Sequence, residues 1–159
     1  MFLTDCGRGF WITSAPFAEY VKHAWAGAWV CSAFRSEGAG TASELIRQAV
    51  AATRAHYGEP PALGMVTFVD PRCRKCKKQF PICACVEPDW IVRPTMVRGT
   101  PVWGWTYRKA GFVEVGETKG GLLALQLLPA AMPAPLACNQ RAMHGTPLFD
   151  RFPFLEAAE

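Results

Sequence analysis

The sequence predicts an α/β fold with a mixed, partly parallel sheet, flanking helices and a Cys-rich insertion. Three observations carry this expectation. An apolar run at residues 28–34, a Gly-rich turn, a helical stretch and a second apolar run at residues 63–69 follow one another directly. A strand–helix–strand unit of that length implies a right-handed crossover between parallel strands. Two alternating segments around Lys119-Gly120-Gly121 then read as an antiparallel hairpin. Between these parts, residues 72–99 break the pattern with cysteines and basic residues.

The elements can be justified in order. Residues 10–13 and 28–34 are rich in Trp, Val and Phe and read as strands. Residues 17–25 fit either a short helix or an extended segment. Over residues 41–57, Thr41 and Glu44 form a capping box, and Ile46, Ala49, Val50, Thr53 and Tyr57 share one helix face. Gly58 then stops the helix and Pro60-Pro61 forbid its continuation. Residues 63–69 are short, nearly continuously apolar and β-branched, as in a buried strand that Asp70-Pro71 ends. Residues 101–110 predict a short helix closed by Gly111, and residues 112–116 and 122–128 predict two strands. The domain is expected over residues 1–129, with residues 130–159 as a loosely packed arm rich in Pro, Ala and Met.

Half of the 159 residues are hydrophobic, which excludes a disordered chain. No apolar run approaches the roughly 18–20 residues of a membrane span, and no secretory signal pattern opens the chain. A soluble, cytoplasmic protein without a membrane partner is therefore expected. Seven cysteines, an odd number unevenly spaced, fit metal binding and free thiols better than a disulfide framework. The net charge is only +4, yet Arg72, Arg74, Lys75, Lys77 and Lys78 crowd one stretch, with Arg93, Arg98, Arg108 and Lys109 beyond it. Such a patch suits phosphates; a solvated basic loop fits equally.

Two motifs carry chemistry. Arg35-Ser36-Glu37-Gly38-Ala39-Gly40 stands between an apolar run and a helix, where bare N–H groups and the helix dipole suit a pyrophosphate. Tyr107-Arg108-Lys109-Ala110-Gly111-Phe112 follows about seventy residues later. Together they resemble the GNAT acetyltransferase superfamily over residues 28–128. Arg35, Gly38 and Gly40 match its Gln/Arg-x-x-Gly-x-Gly/Ala turn, and Tyr107, Lys109, Gly111 and Phe112 match its second CoA-side segment. The resemblance implies acetyl-CoA, or a related acyl-CoA, held where two parallel strands splay. Its pyrophosphate would lie on Ser36, Glu37, Gly38, Ala39, Gly40 and Thr41, and Tyr107 would protonate the leaving thiolate.

A narrower likeness adds an acceptor. Val66-Thr67-Phe68-Val69-Asp70, then Gly104-x-x-Tyr107-x-x-Ala110-x-Phe112 and Gly116, resemble the Mom branch of that superfamily. Mom proteins are phage-encoded and modify adenine in DNA, which would place this protein in a host cytoplasm. A metal has been proposed for that branch, and His23 with Asp70 is the pair that corresponds here. As plain chemistry, Asp70 is also an ordinary strand-ending turn residue, and His23 an ordinary half-buried histidine.

Cys73-x-x-Cys76 and Cys83-x-Cys85 place four thiols within thirteen residues. Four thiolates complete a closed tetrahedral Zn²⁺ site, which would staple an insertion that has no core of its own. Free thiols, or a disulfide, are the alternatives. Arg72, Arg74, Lys75, Lys77 and Lys78 interleave with these ligands, and Phe80 and Trp90 offer rings for a base, which favours DNA as acceptor. Two other functions share the same residues: an ordinary N-acetyltransferase acting on a small amine or a protein, and a binding module on the same scaffold without catalysis. Cys31 reads as core.

Overall fold

The computed structural model describes residues 1–4, 7–15, 24–79, 81–85 and 93–136. Among these residues, eight strands and two α-helices follow in order: β1 (Phe2–Leu3), β2 (Gly9–Ser14), β3 (Trp29–Ser36), α1 (Ala42–Tyr57), β4 (Met65–Val69), β5 (Thr95–Val97), β6 (Thr100–Val102), α2 (Trp105–Lys109), β7 (Val113–Glu117) and β8 (Leu123–Leu127). Six of the strands form one sheet in the order β1-β2-β3-β4-β8-β7. Only β3 and β4 run parallel, joined through α1, and every other pair is antiparallel. The sheet is thus mixed and partly parallel, and the helices are few.

Strand parity explains the core. Trp29, Cys31, Met65, Leu125 and Leu127 face one side of the sheet, where Ile46, Ala49 and Val50 of α1 and Ala110 and Phe112 beside α2 pack on them. Val66 and Ala124 face the other side with Ala28, and Trp25, Val30 and Phe68 cover them. β4 is buried on both faces because it lies at the sheet's centre, which is why its sequence is continuously apolar rather than alternating. Thr67 is its polar exception and is itself buried.

Several expectations are corrected by the structure. The helix expected from Pro101 starts four residues later, at Trp105, because Thr100–Val102 is a strand. It pairs with Thr95–Val97 across Arg98 and Gly99, both in left-handed conformation (φ 49° and 82°). Positive φ at two central residues is the hairpin turn that matches strand twist. The region between residues 72 and 99 therefore contains a hairpin where no periodicity was legible. Thr41 is the N-cap of α1, but its hydroxyl makes no capping hydrogen bond, so the capping box is not closed. Tyr57, expected on the buried face, is 46% exposed and leans on Trp29 at 5.7 Å between ring centroids.

The arm is only partly as expected. Pro129–Ala131 forms a 3₁₀ turn, Met132 is buried in the core, and Arg54 of α1 donates through Nη1 to the Pro133 carbonyl at 2.8 Å. Its first residues are thus docked on α1. The remainder, from residue 137, lies outside the described residues, as do His23, Phe80, Trp90 and most of residues 17–25. The turn at Lys119-Gly120-Gly121 agrees with expectation, with the Gly121 N–H donating to the Thr118 carbonyl at 2.9 Å. Among the described residues, no helix is long and apolar enough to cross a membrane.

Candidate active site and metal centre

The parallel pair is short. β3 and β4 share only three rungs, Trp29↔Met65, Val30↔Val66 and Cys31↔Thr67. Beyond the last rung β3 continues to Ser36 on the side of β2, and β4 continues to Val69 on the side of β8. The two strands therefore part at Cys31 and Thr67, and the carboxyl ends of parallel strands are where α/β proteins place ligands.

Tyr107 reaches this parting point from α2. Its hydroxyl lies 3.8 Å from the Cys31 sulfur and beside Thr67, whose own hydroxyl donates to the Cys31 carbonyl at 3.4 Å. Three rings fix the phenol: Phe112 at 5.6 Å, Phe34 at 6.2 Å and Trp11 at 6.5 Å between centroids. Burial raises the Tyr107 pKa well above its ordinary value, with the neighbouring Cys31 thiol adding to the effect. Burial likewise pushes the Cys31 thiol up to about 11. Both groups are thus protonated at neutral pH, and Tyr107 is a proton and hydrogen-bond donor held still.

Gly104 sets the height of α2 over the sheet. It is the helix N-cap at φ 64°, and a Cβ there would stand 2.5 Å from Leu125 Cδ1 and 3.3 Å from Val69 Cγ2. The glycine lets α2 start against the end of β4, three residues before Tyr107.

The Gly-rich turn lies at the far end of β3. Gly38 and Gly40 adopt φ 73° and 122°, with open space where a Cβ would be, so their need is conformational rather than steric. Arg35 pairs with Glu37 across the turn. This pairing offsets the Glu37 carboxylate, while Glu44 stands in the first turn of α1. The Glu37 N–H is already taken by the Arg8 carbonyl at 2.7 Å. Among the described residues, none accepts from the N–H groups of Gly38, Ala39 or Gly40, and Thr41 leaves the first turn of α1 without a side-chain cap. Ser36 is the last residue of β3.

Asp70 is engaged elsewhere. Arg72 donates to both of its oxygens, at 2.7 Å and 3.1 Å, and the Arg72 N–H donates at 3.0 Å. The Arg72 side chain holds the Asp70 carboxyl below its ordinary pKa. Asp70 is therefore the turn residue that roots the following loop, and Arg72 is tied to it rather than presented outward. The pairing of Asp70 with His23 lies outside the described residues.

The four cysteines of that loop converge. The sulfurs of Cys73, Cys76, Cys83 and Cys85 all lie within 4.8 Å of one another, with Cys76 and Cys83 at 3.5 Å. A tetrahedral zinc–thiolate centre needs sulfur–sulfur edges of about 3.8 Å. The backbone builds the arrangement. The Cys73 N–H donates to the Lys78 carbonyl at 2.8 Å, the Lys77 N–H to Cys73 at 3.1 Å and the Cys83 N–H to Gln79 at 3.0 Å. Lys77 takes φ 61° to close the turn. N–H groups of Cys76 and Lys75 point at the Cys73 sulfur and lower its pKa, as a metal-binding thiolate needs. These four side chains could hold a metal such as zinc. Arg74, Lys75, Lys77 and Lys78 stand exposed around them.

Two residues of the site escaped sequence reasoning. Cys31 is buried as expected, but it also touches Tyr107; Thr67 was visible only as the one hydroxyl in an apolar strand. No family model, curated protein or solved structure matches this chain.

Proposed function

We propose that this chain is a GNAT-fold transferase of the phage Mom type, moving an acyl-type group from a CoA thioester to a nucleobase in DNA. The observation that carries the reading is the parting of β3 and β4 immediately after Cys31↔Thr67, with the Tyr107 hydroxyl at that rung and the Gly turn five residues further along β3. Five strand residues span roughly 16 Å. An extended pantetheine arm bridges such a gap, with its pyrophosphate on the N–H groups of residues 38–41 and its thioester beside Tyr107.

In this reading the acceptor nitrogen attacks the thioester carbonyl, the C–S bond breaks, and the departing thiolate takes the Tyr107 proton. The proton lost by the acceptor returns the phenol to its neutral form through solvent. No acyl-enzyme is required, because holding amine and thioester together supplies the rate advantage. Cys31, protonated and buried, does not act as a nucleophile.

The acceptor class rests on the cysteine loop. Its exposed cations stand five to nine residues beyond the carboxyl end of β4, the same strand end on which Gly104 seats the Tyr107 helix. Zinc on Cys73, Cys76, Cys83 and Cys85 would hold those cations over the mouth of the cleft, where phosphates can be met. A target base in duplex DNA must leave the stack to reach Tyr107.

The test is mass spectrometry of nucleosides from DNA of cells expressing the protein, beside Tyr107→Phe. A heavier nucleoside that vanishes in the variant supports the reading. Unchanged nucleosides, with acetyl-CoA bound by the purified protein, would replace DNA by a small amine or protein as acceptor.

A further inference from the structure

We propose that metal loading of the cysteine loop is the switch for nucleic-acid binding, acting through the placement of its cations. The inference rests on the nucleic-acid reading above and names the regulation of that same surface.

From Arg74 to Gln79 every residue is exposed, while Pro71 and Cys73 are buried at the root of the loop and Arg72 pairs there with Asp70. One isolated bridge, Arg72↔Gln79, and three backbone hydrogen bonds define its turn. Lys77 pays the strain of a left-handed conformation without being glycine. Cys83 and Cys85 bring their sulfurs to those of Cys73 and Cys76, with a backbone bond from Cys83 to Gln79 beside them, so a shared ion would tie the two halves together.

A divalent ion held by four thiolates carries two negative charges, set among four cations, Arg74, Lys75, Lys77 and Lys78. The loaded centre therefore offers phosphates no attraction of its own. What loading supplies is a fixed cluster of the four cations, because the ion draws the sulfurs of Cys73, Cys76, Cys83 and Cys85 into one site.

The experiment compares the full chain loaded with zinc and after chelation, using a fluorescent DNA duplex and the corresponding single strand at low salt. Far-UV circular dichroism and metal content are measured on the same samples. The expected result is one zinc per chain and an affinity at least tenfold lower after its removal, with secondary structure kept. Equal or tighter binding after removal overturns the inference and leaves the nucleic-acid reading standing. Binding by neither form overturns both, and so does the absence of any metal for the inference alone. Should chelation unfold the chain, the triple variant Lys75→Gln, Lys77→Asn, Lys78→Gln decides with its zinc in place, since Asn tolerates the left-handed turn. Weaker binding with a shallower salt dependence supports the inference; unchanged binding overturns it.

Discussion

Gly104 shows how one residue connects sequence to site. It combines a left-handed φ with a backbone approach that leaves a Cβ 2.5 Å from Leu125, so Gly104→Ala meets strain and overlap together. We expect a loss of about 2–3 kcal/mol, read as a lower midpoint in urea, together with weakened acetyl-CoA binding as α2 lifts from β4. Tyr107→Phe behaves differently, because its ring contacts with Phe112, Phe34 and Trp11 survive. It should fold like the parent and lose turnover by roughly 10²-fold or more, the contribution typical of a positioned proton donor. Cys31 supplies a pH dependence. The unfolded chain releases this proton near 9, whereas the folded protein holds it to about 11. The folded pKa is the higher one, so the stabilisation is present below pH 9 and is lost as pH rises from 9 to 11, on the order of 2 kcal/mol. Cys31→Ala should flatten that part of the stability profile, measured by denaturation at pH 8 and pH 11.

At the scale of elements, the Gly turn and α1 have separable roles. α1 is held by Ile46, Ala49 and Val50 in the core, and Ile46→Ala should cost about 2–4 kcal/mol. Gly38 and Gly40 face open space and carry only a backbone requirement. The double variant Gly38→Ala, Gly40→Ala should lose about 1–2 kcal/mol of stability, yet weaken CoA binding more than tenfold, because the backbone of the turn would be redirected. Calorimetric titration with CoA, beside a thermal melt, separates the two effects. A CoA affinity that follows stability alone would remove the turn from the donor site. α1 and β4 were legible in the sequence because their apolar patterns are strong and local. The β5–β6 hairpin was not, since Arg98-Gly99 is a hairpin turn whose first residue is a rare occupant of positive φ. Its Pro101 also argued for a helix start.

For the whole molecule, the sheet and the cysteine loop are two nearly independent sources of order. Among the described residues, the core clusters on the two faces of β4 contain no loop residue, and Pro71 and Cys73 are buried at the root of the loop. Zinc removal should therefore lower the thermal midpoint by only a few degrees, about 1–2 kcal/mol. A collapse of the whole transition on chelation would mean that the loop supports the sheet. The same division bears on the proposed function, in which the donor would lie between strands and the acceptor would meet a loop that hangs from the end of one of them.

By itself the sequence determined the order of elements from residue 28 to 128 apart from the β5–β6 hairpin, the two Gly-bearing motifs and the spacing of the four cysteines. These are local properties, written in hydrophobic period, turn residues and ligand intervals. The tertiary structure alone decided that β3 and β4 part after three rungs, that Cys31 and Thr67 meet the Tyr107 hydroxyl there, and that Asp70 is occupied by Arg72. Each depends on atoms far apart in the chain or on a choice between partners of similar chemistry. Sequence period cannot encode where two paired strands separate, because their side chains alternate in the same way on either side of the parting point.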